Sequence, residues 1–504
     1  MTIDTPDWVR DAIFYQIFPD RFARGQHHPN KGIKFEDWNT PPNPYGFKGG
    51  DLYGVTEKLD YLKDLGINAI YFNPITASAS NHRYHTYDYF HVDPLLGGDE
   101  AFRGLLDTAH KVGIRIVPDG VFNHASRGFW QFHHVLENGN GSPFVDWFHF
   151  NPDRLNRHRN WGAYPGEREQ QDLNRGVSSY DAIGYNAWWN LPALPKLNTN
   201  CPEVREFIFN AAVHWINFGA DGWRLDVAAE INDDSFWQEF RHRVKAANPD
   251  AYIVAEIWHE AHRWLQGDQF DATMNYLVTA ALMGWLVKDR IPAYSYTIGG
   301  MRNVLRPLTA SEFGDRIEYL LSLYAPEINY VQFNLLDSHD TPRFLTVAGE
   351  DESVLRLAYL FLLTYVGAPC IYYGDEIGMS GGPDPECRKA FNWDESTWNH
   401  SLRSYLKELV QIRTQEGALR RGTYQRIYSD DDVIVFARQH QGETVLIAIN
   451  IAAVERQPVF ETKMLGIQTG NLEPLFGANQ GTVVEGKVTD LKIEGRSGLI
   501  LKLR

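Results

Sequence analysis

Four short segments of the sequence place acidic, basic or imidazole side chains directly after an apolar run. They are residues 119–124 (DGVFNH), 224–226 (RLD), 256–259 (EIWH) and 338–340 (SHD). A single acid after a strand is commonly a solvated cap, but four such segments in one chain point to a shared site. Their side chains offer a nucleophile, a general acid and base, and hydrogen-bond donors for hydroxyl groups.

This set of carboxylates suits retaining glycoside hydrolysis. One carboxylate must be ionised to attack the anomeric carbon, and another must be protonated to serve the leaving oxygen. Arg224 precedes Asp226 by two residues, so both side chains point to the same side of a strand, and we expect the guanidinium to keep Asp226 ionised as the nucleophile. The apolar neighbours Ala255 and Ile257 are expected to favour the protonated form of Glu256, the candidate general acid and base.

The remaining polar residues of the four segments are candidates for holding the sugar. We expect Asp340, with His339 and His124, to bind hydroxyl groups and to bind them more strongly as the oxocarbenium-like state forms. Considered alone, each histidine is equally well explained as a satisfied polar group of the core.

The elements that must position these segments alternate between amphipathic helices and short apolar strands. Parallel strands need crossover helices, so this alternation predicts an α/β fold with a parallel sheet. Eight strands favour a TIM (β/α)8 barrel, in which the carboxyl ends of the strands meet at one face. No GxGxxG follows any of the strands, which argues against a dinucleotide-binding fold. The strands are expected to begin near Ile13, Ala69, Ile114, Gly222, Tyr252, Ala272, Val331 and Cys370.

The chain divides into three predicted regions. Residues 1–123 and 190–416 form the barrel, and residues 124–189, which lack periodicity, form a loop-rich subdomain inserted after strand 3. Residues 417–504 show short alternating apolar runs without a helical pattern, which predicts a C-terminal antiparallel β-sandwich. The uncharged run 357–374 is interpreted as a buried helix and a buried strand separated at Gly367-Ala368-Pro369, not as a membrane span.

Composition excludes some partners and suggests others. The 504 residues carry a formal charge of −16, which argues against nucleic acid or an anionic membrane as a partner. Three cysteines without CxxC spacing argue against a disulfide framework, and the N-terminal residues lack an export signal, so a cytoplasmic location is expected.

Aromatic residues reach 13%, which fits either a large core or a cleft that stacks sugar rings. Some of the tryptophans in the predicted insertion are candidates for stacking: Trp130, Trp161, Trp188 and Trp189.

Two other kinds of enzyme have weak signals. Residues 378–382 match GxSxG, but Gly382-Pro383 follows where a serine esterase needs a helix. The pairs His27-His28 and His133-His134 lack the HExxH spacing of a zinc site.

With the barrel in place, the four segments resemble the four signature regions of the α-amylase family, in order and spacing, and the insertion resembles that family's domain B. Residues 194–198 (LPKLN) resemble its fifth region, and together with residues 256–259 they are similar to the neopullulanase, cyclomaltodextrinase and maltogenic-amylase branch. The resemblance covers essentially the whole chain.

The resemblance implies a role for each matching residue. Asp226 is implied as the nucleophile, Glu256 as the acid/base and Asp340 as the third carboxylate. The implied substrate-binding residues are Tyr84, His124, Arg224, Trp258 and His339, with Tyr84 stacking on the sugar ring and Trp258 on the acceptor side. The implied supporting residues are Asp88, Asp119 and Asn123.

The sequence departs from this branch at three places. The relatives usually begin with an extra β-domain that helps to form a dimer, whereas Trp8–Phe18 here already resembles barrel strand 1, so the oligomeric state is open. A structural calcium site is expected to be weakened or lost, because Arg24-Gly25-Gln26 stands where many relatives have Asn-Gly-Asp, leaving Gly49 and Asp51 as weak candidates. Ala229-Glu230 replaces a frequent Asn-Glu, which is expected to affect the choice between water and sugar as acceptor.

The predicted function is therefore a retaining α-glucan hydrolase, with no required cofactor, that acts on α-1,4 bonds, and activity on α-1,6 bonds is left open. Its substrates would be maltooligosaccharides, cyclodextrins, pullulan or branched dextrins. The alternatives are a debranching enzyme or transglycosylase of the same family, or a non-catalytic relative that binds glucans.

Overall fold

The protein is described by a computed structural model for residues 3–26, 32–155 and 162–504. Trp161 and the pair His27-His28, both considered above, lie outside the described residues. The described chain forms a parallel barrel, a segment inserted into it, and a C-terminal β-sheet domain.

The eight predicted strands form a closed parallel barrel, which confirms the TIM-barrel prediction. Barrel strands 1 to 8 are, in order, Phe14–Ile17, Ala69–Phe72, Arg115–Val117 with Asp119–Gly120, Gly222–Leu225, Tyr252–Ala255, Ala272–Thr273, Phe333–Leu335 and Ala368–Tyr372. Pro118 divides strand 3, since proline has no amide hydrogen for the ladder. The first piece pairs with strand 2 and the second with strand 4. A parallel bridge between Met274 and Phe333 joins strand 6 to strand 7, and strand 8 pairs with strand 1.

Helices pack around the barrel, and the residue types at their ends account for where they begin and end. Asp233 caps the helix before strand 5 by accepting from two backbone amides, and Gly219 ends the helix before strand 4 at φ +118°, a conformation that favours glycine. The larger helices are Leu52–Glu57, Leu59–Leu65, Gly98–Lys111, Pro202–Phe218, Asp234–Ala247, Tyr276–Leu282, Ala310–Ser322, Glu352–Thr364 and His400–Gln415. Short helices are Pro19–Phe22, Pro326–Asn329 and Phe344–Val347.

The uncharged run 357–374 forms the end of helix Glu352–Thr364 followed by strand 8, as predicted. Within the described residues, no helix is both long enough and apolar enough to cross a membrane.

The segment inserted after strand 3 is more helical and longer than predicted. It contains the helices Trp130–Asn138, Pro152–Leu155, Glu167–Asn174 and Ser179–Ala182. Its backbone bridges pair Ala187 with Pro195 and Phe148 with Leu197, so the insertion continues past the predicted end at residue 189. Residues 185–197 return along the start of the insertion, where His124 bridges to Lys196. An antiparallel hairpin, Thr76–Ser78 with Thr86–Val92, follows barrel strand 2.

The C-terminal domain is one antiparallel sheet that folds over a core of its own. Its strands are Thr423–Ser429, Val433–His440, Glu443–Asn450, Phe460–Glu461, Gly470–Phe476, Gly481–Val484, Lys487–Val488 and Ser497–Leu503. Along Val433–His440 the side chains alternate between two clusters: Val433 and Val435 face the sheet's own core, while Ile434 and Phe436 join the core of the barrel.

The expectation that no helix occurs after residue 416 is wrong at one place, since Gly417–Arg421 forms a short helix. Its apolar residues Ala418 and Leu419 are buried, and Arg421 forms ion pairs with Asp7 and Asp11 at 2.8 and 2.5 Å. These contacts with distant parts of the chain are invisible to a local pattern.

Candidate active site

One guanidinium contacts three of the predicted site carboxylates. Arg224 Nη1 donates to Asp119 at 2.7 Å and to Asp226 Oδ1 at 3.1 Å, and its Nη2 lies 3.0 Å from Glu256 Oε2. Arg224 and Asp226 follow the alternation of strand 4, as predicted, and Glu256 begins the segment after strand 5. All four side chains are buried.

Asp119 anchors this arrangement from strand 3. Its Oδ2 accepts hydrogen bonds from the hydroxyl groups of Tyr84 at 2.8 Å and Tyr71 at 3.0 Å, in addition to Arg224. The supporting role predicted for Asp119 therefore matches its contacts. Asp226 Oδ2, by contrast, is buried and accepts no hydrogen bond within the described chain.

Glu256 has polar contacts, contrary to the expected apolar setting. Its Oε2 accepts from the backbone amide of Val227 at 2.9 Å, and its Oε1 accepts from Trp258 Nε1 at 2.9 Å. Ala255 and Ile257, on which the expectation rested, are buried in the core. The alternation of the strand turns their side chains away from the face that carries Glu256.

The indole of Trp258 is covered on both faces. It stacks on Tyr276 with ring centroids 3.5 Å apart and planes 4° apart. On the other side lies Gly299, at φ +45°, where a Cβ atom would be 2.5, 2.6 and 2.9 Å from three ring atoms of Trp258. A Cβ that close to three bonded ring atoms is above the ring plane, so Gly299 lies against the face and not the edge.

Asp340 is held by a second group of residues. His339 Nε2 lies 3.0 Å from Asp340 Oδ2 and 2.6 Å from the Tyr84 hydroxyl, and Arg388 Nη2 donates to Asp340 Oδ1 at 3.3 Å. Gln16 on strand 1 contacts the other ring nitrogen of His339 at 2.9 Å. Tyr84 and His339 also stack, with centroids 5.5 Å apart, so the sequence-predicted pair does meet.

Burial dominates the protonation of this site. It raises the pKa of Asp226 well above its ordinary value, because the attraction of Arg224 is opposed by Glu256, Asp119 and Asp340. Arg224 acts in the expected direction, since its attraction lowers the pKa of Asp226 against the effect of burial. Burial also raises the pKa of Asp340 to about 7.

Both site histidines are neutral. Burial lowers the pKa of His124 to about 3, and burial with the nearby Arg388 and Arg224 lowers the pKa of His339 well below its ordinary value. Neutral imidazoles can donate one hydrogen bond and accept another, which suits contacts with hydroxyl groups.

His124, Trp188 and Trp189 form a second aromatic stack. The imidazole stacks on Trp188 with centroids 5.1 Å apart, and Trp188 stacks on Trp189 at 4.6 Å, all three rings lying parallel within 10°. The outermost ring, Trp189, is 78% exposed. Trp189 and Asn190 both have positive φ values, 53° and 56°, and Asn190 accepts from the amide of Ser179 at 2.9 Å. Asn123 contacts His124 Nδ1 at 3.3 Å, in line with its supporting role.

A cavity of about 530 Å³ opens beside Arg388. Tyr45 and Tyr164 line it, together with His82 and His85. Trp130, a candidate stacking residue, is 60% exposed and packs edge-to-face against Phe144.

Two predicted residues lie elsewhere. Asp88 does not support the site: its carboxylate is partly exposed and contacts the amide of Phe90 and His91 Nδ1, both at 2.9 Å. Strand alternation turns Tyr89 inward and Asp88 outward. Asp51, a weak calcium candidate, uses Oδ1 to accept from the amides of Gly25 at 3.1 Å and Gly54 at 2.7 Å.

The other calcium candidate, Gly49, has φ +74° and lies against the ring of Phe35. Across the described residues, no group of three or more His, Cys, Asp or Glu side chains is placed to hold a metal ion. The weak serine-esterase signal also finds no support, because the segment after Ser380 runs into the 3₁₀ turn Glu386–Arg388 and not into a helix.

Several functional contacts come from residues that the sequence analysis did not select. Gln16, Tyr71 and Tyr276 reach the site from strands 1 and 2 and from the helix after strand 6, and Arg388 reaches it from a loop. A polar residue inside an otherwise apolar barrel strand, such as Gln16 in Phe14–Ile17, is a signal that could have been used. Arg388 lies in a loop whose path has no local signature.

Comparison with known proteins agrees with this geometry. The family model for the α-amylase catalytic domain matches residues 16–420, and that for the α-amylase C-terminal domain matches residues 422–500. A cyclomaltodextrinase from Geobacillus thermopakistaniensis is 45% identical over 450 residues, which are 88% of this chain and 69% of that protein. Neopullulanase 2 from Thermoactinomyces vulgaris is 40% identical over 503 residues, 99% of this chain and 78% of that protein.

Among solved structures, the debranching enzyme from Nostoc punctiforme is 44% identical with a TM-score of 0.87, covering 99% of this chain and all of that one. The chain therefore belongs to the α-amylase family of glycoside hydrolases. Its relatives include cyclomaltodextrinases, neopullulanases and maltogenic amylases, so the predicted branch is confirmed, and the protein is an α-glucan hydrolase by this relationship.

Proposed function

We propose that the protein hydrolyses α-1,4 glucosidic bonds with retention of configuration, through a covalent intermediate on Asp226. Asp226 Oδ2 attacks the anomeric carbon while protonated Glu256 gives its proton to the leaving oxygen, and Glu256 then takes a proton from the attacking water. Asp340, His339 and His124 hold the sugar whose bond is broken.

The single observation that supports this most is the bridging of Asp226 and Glu256 by Arg224. Contacts of 3.1 and 3.0 Å to adjacent nitrogens of one guanidinium bring the two carboxylates close together. Retaining enzymes need the two carboxyl groups about 5 Å apart, so that one of them can attack the sugar directly. The buried, unoccupied acceptor Oδ2 of Asp226 is the free atom that such an attack requires.

The test compares Asp226→Asn and Glu256→Gln with wild type on maltotriose, β-cyclodextrin, pullulan and a branched dextrin. We expect each variant to lose several orders of magnitude in turnover, because each removes a chemical step and not only binding. Asp88→Asn is the matched control, since that carboxylate faces away from the site. Near-native activity of either site variant would refute the assigned roles.

The same panel separates the other candidates. Release of linear chains from the branched dextrin without cleavage of maltotriose would favour a debranching enzyme, which is what the relative from Nostoc punctiforme is named. Longer products from maltotriose would favour transglycosylation, in line with Ala229 beside Glu230. Binding of these sugars without any release, with Glu256→Gln indistinguishable from wild type, would favour a glucan-binding relative.

Calcium independence is a further part of the proposal. Arg24 donates to the carbonyl oxygens of Lys48 and Glu36, both at 2.7 Å, and Lys48 Nζ donates to the carbonyls of Asp37 and Thr40 at 2.7 and 2.8 Å. Two side-chain cations thus organise the carbonyl oxygens of the loop that leads to Asp51. We expect a chelator to change neither activity nor melting temperature, and a fall in either would refute this part.

We also propose a cytoplasmic location, supported by three cysteines that are all free and buried. Fractionation of the source cells with an antibody to the protein tests it, and recovery outside the cytoplasm would refute it.

A further inference from the structure

We propose that Trp258 is a positioning residue for Glu256, and that its indole N–H orients the acid/base carboxyl group instead of its ring stacking on an acceptor sugar. The inference rests on the proposed function, because it concerns the acid/base step of that reaction.

The faces of the indole are not available to a sugar. Tyr276 covers one face at a centroid distance of 3.5 Å, and Gly299 covers the other so closely that any side chain there would overlap the ring. Gly300 packs against the backbone of the same residue, where an added Cβ atom would lie 2.7 Å from the carbonyl oxygen of Trp258. Stacking on a sugar needs a free ring face, so the indole of Trp258 is not placed to stack on one.

The polar edge of the indole points at the acid/base residue. Trp258 Nε1 donates to Glu256 Oε1 at 2.9 Å, while the amide of Val227 donates to Oε2, also at 2.9 Å. With one donor on each oxygen, both the position and the plane of the carboxyl group are fixed. A general acid must be placed within hydrogen-bond reach of the leaving oxygen, and a displacement of about 1 Å costs on the order of 100-fold in rate.

The experiment compares Trp258→Phe with wild type on maltotriose and on 4-nitrophenyl α-maltoside. The aryl leaving group departs with little help from a proton, so its cleavage depends less on the general acid. We expect kcat/KM for maltotriose to fall about 10- to 100-fold, with a several-fold smaller loss for the aryl maltoside. Most of the loss is expected in kcat and not in KM.

Trp258→His, which retains a ring N–H, is the second variant and is expected to recover part of the lost activity on maltotriose. A loss confined to KM for maltotriose would show that the indole binds the acceptor sugar, and would overturn the proposal. Equal losses on both substrates would also overturn it. If wild type itself cleaves neither substrate, the proposed function fails as well, which separates that outcome from the others.

Discussion

Two aromatic stacks each contain a predicted site residue, Trp258 in one and His124 in the other, and they differ in what covers their rings. In the closed stack, Trp258 lies between Tyr276 and Gly299, with both faces covered. In the open stack, His124, Trp188 and Trp189 lie in a column whose last ring is 78% exposed.

The difference teaches that a tryptophan near a sugar site can act through its edge or through its face, and that its neighbours decide which. Covering both faces leaves Trp258 only its N–H, which is directed at Glu256. Trp189, whose backbone is held at a positive φ, has one free face. It therefore presents a flat apolar surface in the stack that begins at His124. The aromatic excess of the sequence therefore serves two functions.

The largest effect is expected from Gly299→Ala, which tests the closed stack without touching a polar group. The new Cβ would overlap the indole at 2.5 Å and displace it, and with it the N–H that holds Glu256. We expect kcat/KM for maltotriose to fall about 10- to 100-fold, measured in initial-rate assays.

Gly349→Ala is the matched control for that variant. Gly349 also has a positive φ, +70°, but an added Cβ would meet nothing within 4 Å. Both substitutions should cost about 1–2 kcal/mol of stability for the left-handed backbone, yet only Gly299→Ala should lose activity. Equal activity losses would mean that the closed stack has no special role.

The next effect is expected from Trp189→Ala, which removes the exposed ring of the open stack. If that ring contacts a glucosyl unit beyond the one at Asp226, KM for maltoheptaose should rise about 3- to 10-fold, the value of one aromatic contact. Maltotriose should be affected less. Trp130→Ala, also exposed in the inserted segment at 60% but outside the column, is the control and should change neither value. An equal rise of KM for maltoheptaose in Trp130→Ala would show that the open stack has no special role in binding.

A smaller effect concerns pH. Burial lowers the pKa of His124 to about 3, so the open stack is uncharged at all higher pH values, and the preference for maltoheptaose over maltotriose should be constant from about pH 5 to 8. Titration of Asp340, whose pKa burial raises to about 7, acts on both substrates and cancels in the ratio. A ratio of kcat/KM values that bends near pH 6 would show that His124 titrates there.

The smallest effect is expected from Tyr276→Phe. The hydroxyl contacts Ser338 Oγ at 3.1 Å, but the ring alone forms the stack with Trp258. We expect kcat/KM to change by less than about 2-fold and the free energy of unfolding to fall by about 1 kcal/mol. A large loss of kcat would show that the hydroxyl, and not only the ring, serves the site.

Most of the barrel was predictable because each strand is short, apolar and preceded by an amphipathic helix that ends at a clear stop such as Gly219. The meeting of Arg224, Asp226, Glu256 and Asp119 followed from the geometry of parallel strands, which brings their carboxyl ends to one face. These features depend on local pattern and on the regular geometry of the fold.

The remaining features depend on contacts between distant parts of the chain. The apolar neighbours of Glu256 in sequence are not its neighbours in space, and the donor on its Oε1 is set by Trp258 packed between Tyr276 and Gly299. Asp88 was assigned a supporting role by resemblance, but strand alternation turns it outward. Loops such as the one that carries Arg388 follow no pattern from which their path can be derived.

The two faces of strand Val433–His440 tie the C-terminal domain to the barrel in a single cooperative unit. Ile434 and Phe436 lie in the barrel's core cluster, and the ring of Phe436 packs against Phe361 of the helix before strand 8 at 5.7 Å. Separating the C-terminal domain from the barrel would expose apolar surface on both. Heat should therefore melt the described barrel and sheet in one transition, and a chain cut before Thr423 should aggregate instead of folding.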